Sequence, residues 1–331
     1  MKAVVMTKFG PPDALQLQEV AKPAPKDNEV LIRIHATTVT AADSELRGLR
    51  FPLAYRLAMR MYVGFILTKP VILGQELAGE IEAVGNNVTR FRKGDQVLGW
   101  TGLGLGAYAE YKCLPEDGVL AIKPANISYE EAAVLAVGGL DAVHFLRKGY
   151  NDSGDKVLIS GAGGSIGAFA VQLARYFGAD VTAVDSTGKL DMLRSIGAER
   201  VIDYAQEDFT RSGQTYDVIF DVIGKSSFSR GVRLLKENGR YLLGNARLSQ
   251  RVRGRRVSRS SSKQVIVWNA RTPSEYTEDI NFLKGLLEVG KVHSVIDRCY
   301  PLEQAAEAHR YVDTGQKKGN VVITVAQNNN I

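Results

Sequence analysis

The stretch KVLISGAGGSIGAFAVQLARYFGADVTAVD, residues 156–185, contains the pattern that decides the fold. Its first five residues form a short apolar run typical of a buried strand, and the run ends at a cluster of glycines. Apolar residues then recur at helical spacing from Ile166 to Phe177, where Gly178 ends the helix. A second apolar run ends on Asp185. The stretch therefore predicts a strand, a turn, a helix and a second strand, the size of a right-handed parallel crossover.

The turn of this unit has the pattern of a dinucleotide fingerprint, with alanine at its first position. Glycines are needed where backbone approaches a pyrophosphate and where the helix packs closely on the strand, and the helix then presents its amides to the phosphates. Asp185 follows close to where the fingerprint places a group that faces the adenosine ribose. From the turn, we expect these residues to bind the cofactor: Ala162, Gly163, Gly164, Ser165, Ile166 and Gly167.

Length and composition bound the class of protein. A chain of 331 residues with 45% hydrophobic residues can form about two domains with their own cores. The beginning of the sequence is strand-like and does not resemble a signal peptide. Its two cysteines, Cys113 and Cys299, have no CxxC partner, so a disulfide framework is not expected and the cytoplasm is the predicted compartment.

Two kinds of pattern divide the chain. Residues 2–113 show short strands separated by glycines and turns, which predicts an antiparallel barrel. After Asp185, strands and helices alternate and complete six strands, which predicts a doubly wound, Rossmann-type parallel sheet. The predicted fold class is α/β plus β, with a barrel domain at 1–123 and 271–331 and a dinucleotide-binding domain at 124–270.

The segment Glu45 to Pro70 does not continue the pattern of short strands. It contains apolar residues mixed with arginines. Its longest uncharged run is too short to cross a bilayer. Three interpretations stay open: a helical lid over an apolar pocket, a packed surface helix, and a helix on a membrane surface.

Motifs along almost the whole chain resemble the medium-chain dehydrogenase/reductase superfamily and its zinc-free quinone oxidoreductase branch. The resemblance implies a GroES-like barrel beside the Rossmann domain, and reduction of a small apolar quinone or α,β-unsaturated carbonyl by a nicotinamide. Within the branch, the chain looks most similar to the group with enone reductases. The phrases that match are VTAAD at 39–43, GQELAG at 74–79, GDQV at 94–97, the glycine turn, GA at 197–198, VIDY at 201–204 and GNVV at 319–322.

Zinc members of the superfamily need a cysteine near Thr40 and a histidine at Gln75, before a glutamate. Here Glu76 is present without those soft ligands, and the four-cysteine structural lobe is absent as well. No metal site is therefore expected, and an alcohol dehydrogenase is the weakest of the functions that we considered.

The resemblance also implies roles for single residues. Thr40 stands where the branch usually has asparagine and is the predicted catalytic donor, whereas Asp43 is more typical of a structural residue that holds its loop. Gly139 matches the loop beneath the nicotinamide, and Val222 is also expected in the cofactor site. Asn320 is either a contact of the nicotinamide ribose or an ordinary strand-end residue.

Two features disagree about the cofactor. Asp185 is typical of NAD sites, because it binds both ribose hydroxyls and repels a 2′-phosphate. Ser186, Lys189 and Tyr204 resemble the set that binds the 2′-phosphate of NADPH in quinone oxidoreductases. In the alternative, Lys189 is solvated and Tyr204 stacks on adenine. We expect NADP (NADPH), with NAD possible.

The formal charge of +6 arises from one segment. Arg247 to Lys263 contains seven cations and no acid, so the rest of the chain would carry −1. We expect a flexible solvated connection, with a phosphate contact or nucleic-acid binding as alternatives. A second function follows from the two basic segments: a cofactor-binding protein that contacts RNA or an anionic membrane.

The run VIVW at 265–268 is the last predicted strand of the parallel sheet. An apolar edge strand can pair with its copy in a second subunit, and the sequence therefore predicts a homodimer.

Overall fold

The computed structural model describes residues 1–50, 71–150 and 153–325. The described chain separates into two compact units. The first comprises 1–137, 276–284 and 296–331, and the second comprises 138–275 and 285–295. The interpretations of the insert fall largely on residues outside the described ranges.

The first unit is built on two β-sheets. In the described chain, a seven-stranded sheet has the order β15-β16-β3-β5-β6-β8, with β7 paired to β3, and a three-stranded sheet has the order β2-β1-β4. The strands are β1 (Lys2–Met6), β2 (Leu15–Glu19), β3 (Glu29–Thr38), β4 (Val71–Ile72), β5 (Glu76–Val84), β6 (Gln96–Trp100), β7 (Tyr111–Pro115), β8 (Leu120–Ile122), β15 (Ile296–Pro301) and β16 (Asn320–Thr324).

The barrel expectation needs two corrections. β15 and β16 are parallel, because helix α9 (Ala305–Asp313) connects them as a crossover, so the sheet is not wholly antiparallel. The strand predicted over 107–113 begins only at Tyr111, and Ala109 forms an isolated bridge with Ala3. The apolar faces meet in one core, in which Ile32, Leu77 and Ile323 are fully buried.

The second unit contains a six-stranded parallel sheet of order β11-β10-β9-β12-β13-β14, which confirms the predicted doubly wound topology. Its strands are β9 (Lys156–Ser160), β10 (Asp180–Asp185), β11 (Arg200–Asp203), β12 (Tyr216–Asp221), β13 (Leu235–Leu243) and β14 (Gln264–Val267). The remaining helices of the described chain are α1 (Ala41–Arg47), α2 (Tyr129–Ala133), α3 (Leu140–Gly149), α4 (Ser165–Tyr176), α5 (Leu190–Ser195), α6 (Phe228–Arg233), α7 (Leu248–Ser260) and α8 (Pro273–Glu288).

The basic segment is a helix, and the expected flexible connection was wrong. Arginine has a high helix propensity, and α7 buries one side against the edge strand β14. Gly254 is required there, because a Cβ at that position would lie 2.6 Å from Val265. The segment is therefore ordered on one face and exposed on the other.

Candidate functional site

The glycine turn connects β9 to α4 at the carboxyl end of the parallel sheet. Gly161 has a φ of +81°, a left-handed conformation that favours glycine. At Gly167, a Cβ would lie 2.3 Å from the carbonyl oxygen of Gly161, so helix and turn are in direct backbone contact. The fingerprint glycines therefore serve the close packing that the sequence predicts for them.

The amino end of α4 fits a phosphate group. Its N-cap is Gly164, which has no side chain to cap the helix, and its first turn contains no acid. A Cβ at Gly164 would meet nothing closer than the Gly161 oxygen at 3.7 Å, so the space before the helix is open. A helix of 12 residues without a side-chain cap directs its first backbone amides and the positive end of its dipole toward an anion.

Asp185 ends β10 beside this turn and is buried. Its Oδ2 accepts a hydrogen bond of 2.7 Å from the Gly163 amide, and its Oδ1 accepts one of 2.8 Å from the Ser186 amide. The Lys189 ammonium lies 3.1 Å from Oδ1, and both side chains of the pair are largely buried. Asp185 thus fixes the glycine turn, and its charge is balanced by Lys189.

The three residues predicted to bind a 2′-phosphate gather around Asp185. Ser186 follows it directly, Lys189 forms the ion pair, and the amide of Tyr204 donates to the Asp185 carbonyl oxygen at 3.1 Å. Tyr204 is 61% exposed, so its ring is available to a ligand. Ser186, Lys189 and the backbone of Tyr204 therefore lie together at the end of β10.

The loop after β12 also begins with a buried aspartate that accepts a backbone hydrogen bond, and the sequence analysis missed it. Asp221 ends β12 and is buried, and burial raises the pKa of its carboxyl despite hydrogen bonds to the loop. Its Oδ1 accepts from the Gly224 amide at 2.9 Å, and the adjacent Val222 donates to the Ser160 oxygen at 3.1 Å. An acid at a strand end with glycine three residues later is a signal that could have found it.

Gly138 and Gly139 lie at the start of α3. Leu135–Gly139 forms a π-helix, a rare element that often occurs at functional sites. A Cβ on Gly138 would lie 2.9 Å from the Ser165 oxygen, so this glycine contacts the first residue of α4. The end of the π-helix therefore lies beside the start of α4, where the glycine turn ends.

In the first unit, Thr40 is the N-cap of α1 and forms a capping box with Asp43. Its hydroxyl donates to Asp43 Oδ2 at 2.6 Å and accepts from the Asp43 amide at 3.2 Å. Burial raises the pKa of Asp43 to about 6, against the hydrogen bonds from Thr40 and Gly74. The hydroxyl proton of Thr40 is engaged with Asp43 and would have to leave it to reach a substrate.

A chain of buried polar groups continues from Asp43, and no motif in the sequence indicates it. Tyr108 donates to Asp43 and lies 3.2 Å from His309 Nε2, whose Nδ1 accepts from Arg47 Nε at 3.3 Å. Burial and then the Arg47 charge lower the pKa of His309 to about 3, so His309 is neutral. Arg47 is fully buried and pairs with Asp313 at 2.6 Å.

Glu76 is a second buried carboxylate in this unit. Its Oε2 accepts from the Val137 amide at 2.6 Å, and its Oε1 accepts from the Thr38 hydroxyl. Burial raises the pKa of Glu76 to about 7, and nearby Asp43 adds to this effect while Lys317 opposes it. Glu76 therefore binds the middle of the π-helix and takes up a proton near neutral pH.

Asn320 is the first residue of β16, is 2% exposed and pairs in register with Ile296. The contact of Asn320 with the nicotinamide ribose stays a prediction.

Within 1–50, 71–150 and 153–325, no three His, Cys, Asp or Glu side chains are grouped so that they could hold a metal ion. In the same ranges, every helix is too short or too polar to span a bilayer.

The parallel sheet, the uncapped α4 and the acid at the end of β10 are the features of a dinucleotide-binding fold. Comparisons with known proteins agree. Residues 26–124 match the family described as alcohol dehydrogenase GroES-like domain, and 196–323 match the one described as zinc-binding dehydrogenase.

Relatives extend the match over the whole chain. The sequence is 32% identical to a 2-methylene-furan-3-one reductase of Solanum lycopersicum, over 98% of this chain and 79% of that one. It is 31% identical to a quinone oxidoreductase of Sus scrofa, over 93% of each chain. The solved quinone oxidoreductase of Coxiella burnetii superposes with a TM-score of 0.86 at 28% identity, over 98% and 99% of the two chains. The chain belongs to the quinone oxidoreductase-like branch of the medium-chain dehydrogenase/reductase superfamily.

Proposed function

We propose that this oxidoreductase uses NADPH to reduce a quinone or an α,β-unsaturated carbonyl without a zinc ion. The observation that carries the proposal is the cluster at the end of β10, where Lys189 neutralises Asp185 beside Ser186 and the exposed Tyr204. The two relatives, a furanone reductase and a quinone oxidoreductase by name, supply the substrate class.

The ion pair favours NADPH over NADH. An unpaired aspartate at this strand end would repel a 2′-phosphate, but the Lys189 ammonium at 3.1 Å balances that charge. The same ammonium, with the Ser186 hydroxyl, is the kind of donor set that binds a phosphate. The Asp185 carboxylate is meanwhile occupied by the Gly163 and Ser186 amides, which reduces its capacity to bind ribose hydroxyls.

Residues of the chain would bind the cofactor and stabilise the charge that develops on the substrate. The amides at the start of α4 hold the pyrophosphate, and the bound nicotinamide would supply a hydride. Reduction of such a carbonyl develops negative charge on oxygen, for which a hydroxyl donor is needed, and Thr40 is the candidate. Thr40 and Gln75 provide neither thiolate nor imidazole, so the donor set does not fit a catalytic zinc.

The test measures the KM for NADPH and for NADH, with a panel of quinones and enones as acceptors, in the unmodified protein and in the Lys189→Gln variant. We expect the KM for NADPH to rise about tenfold, the loss of one charge-assisted contact, while the KM for NADH changes little. Lys156→Gln, at the amino end of β9, is the matched control. Equal increases for both cofactors would assign Lys189 a purely structural role, and stoichiometric zinc in the active protein would contradict the zinc-free mechanism.

We also propose a homodimer through β14, the edge strand of the six-stranded sheet. Its residues Val265, Ile266 and Val267 remain partly exposed, and an apolar edge strand can pair with its copy in a second subunit. Sedimentation as a monomer at micromolar concentration would contradict this proposal.

A further inference from the structure

The outward face of α7 combines exposed arginines with exposed apolar side chains. Leu248 is 71% exposed and Val252, one turn later, is 57% exposed. The opposite side of the helix contains the buried Gln250 and Gly254. The helix contains five arginines: Arg251, Arg253, Arg255, Arg256 and Arg259. Helical spacing places all of them except Arg253 on the side of the apolar pair.

These arginines differ from other surface arginines of the protein. Arg175, Arg194 and Arg200 each lie within about 3 Å of a carboxylate. By contrast, no carboxylate of residues 1–50, 71–150 or 153–325 forms an ion pair with the five arginines of α7, and the helix itself contains no acid. The positive charge of this face is therefore uncompensated, and it attracts an anionic partner.

The position of α7 in the second unit is fixed. Gln250 Nε2 donates to the Gly224 oxygen at 3.2 Å, which attaches the first turn of the helix to the loop after β12. Gly254 packs on Val265. The arginine face is thus presented on a rigid element that begins at the carboxyl edge of the sheet.

We infer that α7 docks the protein on an anionic phospholipid surface. Arginines around a small apolar pair are the pattern of a helix that lies in the membrane interface, where the apolar side chains enter the lipid and the cations contact the head groups. Single-stranded RNA fits less well, because no aromatic residue for base stacking occurs between Arg247 and Lys263.

The experiment is co-sedimentation of the full chain with vesicles of phosphatidylcholine, with and without phosphatidylserine. We expect binding only to the vesicles that contain phosphatidylserine. The double variant Arg255→Gln/Arg259→Gln should weaken it more than tenfold, at about fivefold per cation removed. The matched control Arg92→Gln/Lys93→Gln removes the same charge from an exposed loop and should bind like the unmodified protein.

The apolar pair distinguishes a membrane from other polyanions. Leu248→Ser/Val252→Ser should also lose vesicle binding, whereas Val289→Ser, which changes an equally exposed valine outside α7, should not. Full binding by Leu248→Ser/Val252→Ser, with displacement from vesicles by single-stranded RNA, would overturn the inference in favour of a general polyanion surface. Absence of sedimentation with phosphatidylserine at physiological salt would overturn it outright.

Discussion

Asp185 and Asp43 are both buried aspartates with polar partners, but their surroundings differ. Asp185 has the Lys189 ammonium at 3.1 Å, whereas Asp43 has hydroxyl and amide donors only. Burial consequently raises the pKa of Asp43 to about 6. At Asp43, hydroxyl and amide donors oppose the effect of burial on the pKa, but burial remains the larger influence.

The two regions also differ in how far apart in sequence their partners lie. The partners of Asp185 are within 22 residues of it, whereas Arg47 and His309 are 262 residues apart. The first region can therefore form from a local pattern, and the second needs the whole first unit to fold.

The largest expected effect comes from the long-range region. Arg47→Met removes the fully buried cation from Asp313, His309 and the Gly10 oxygen. We expect the free energy of unfolding to fall by about 4 kcal/mol, because polar groups are left buried without their partner. Chemical unfolding followed by circular dichroism measures this change.

Arg50→Met is the matched control, because Arg50 pairs with the same Asp313 but is 51% exposed. It should cost less than about 1 kcal/mol. Equal losses for both variants would contradict the view that burial decides the strength of these pairs.

The second effect is a pH dependence at Glu76, whose folded pKa of about 7 exceeds the model-peptide value of 4.5. The folded state binds more protons between these values, so stability declines as pH rises from 4.5 to 7. Glu76→Gln does not titrate, and its amide can still accept from Val137. Relative to this variant, the unmodified protein should lose about 3 kcal/mol across the window. Unfolding at both pH values checks the difference.

Glu19→Gln changes an exposed carboxylate at the end of β2 and should alter stability by less than about 0.5 kcal/mol at either pH. If the stability difference between the unmodified protein and Glu76→Gln were the same at both pH values, Glu76 would not take up a proton on folding in this window.

Local patterns explain which parts the sequence could predict. The glycine turn, its helix and Asp185 lie within thirty residues, and their spacing predicted the parallel pair of strands, β9 and β10, that the sheet contains. The contacts of Arg47, Tyr108 and His309 depend on tertiary folding, and no spacing in the sequence indicates them. The prediction for the basic segment was wrong for another reason. Its charge suggested a solvated loop, but the segment is a helix in which Gly254 packs on Val265.

A third experiment separates folding from binding inside the glycine turn. Gly167→Ala places a methyl 2.3 Å from the Gly161 oxygen, and we expect it to cost about 2 kcal/mol of stability. Gly164→Ala meets nothing closer than 3.7 Å and should fold normally, but its methyl would occupy the approach of the pyrophosphate. We expect its NADPH affinity to fall about tenfold in calorimetry. Unchanged affinity would place the phosphates elsewhere.

The smallest effect compares two helix caps, Thr40 on α1 and Thr272 on α8, which both form capping boxes. Thr→Val at either position should cost about 1 kcal/mol, because one amide loses its acceptor. Only Thr40 is a candidate donor to the substrate, so only Thr40→Val should also lower kcat, while Thr40→Ser should restore it. If Thr40→Val lost stability but kept its turnover, Thr40 would be a cap alone, and the donor to the developing oxyanion would have to be another group.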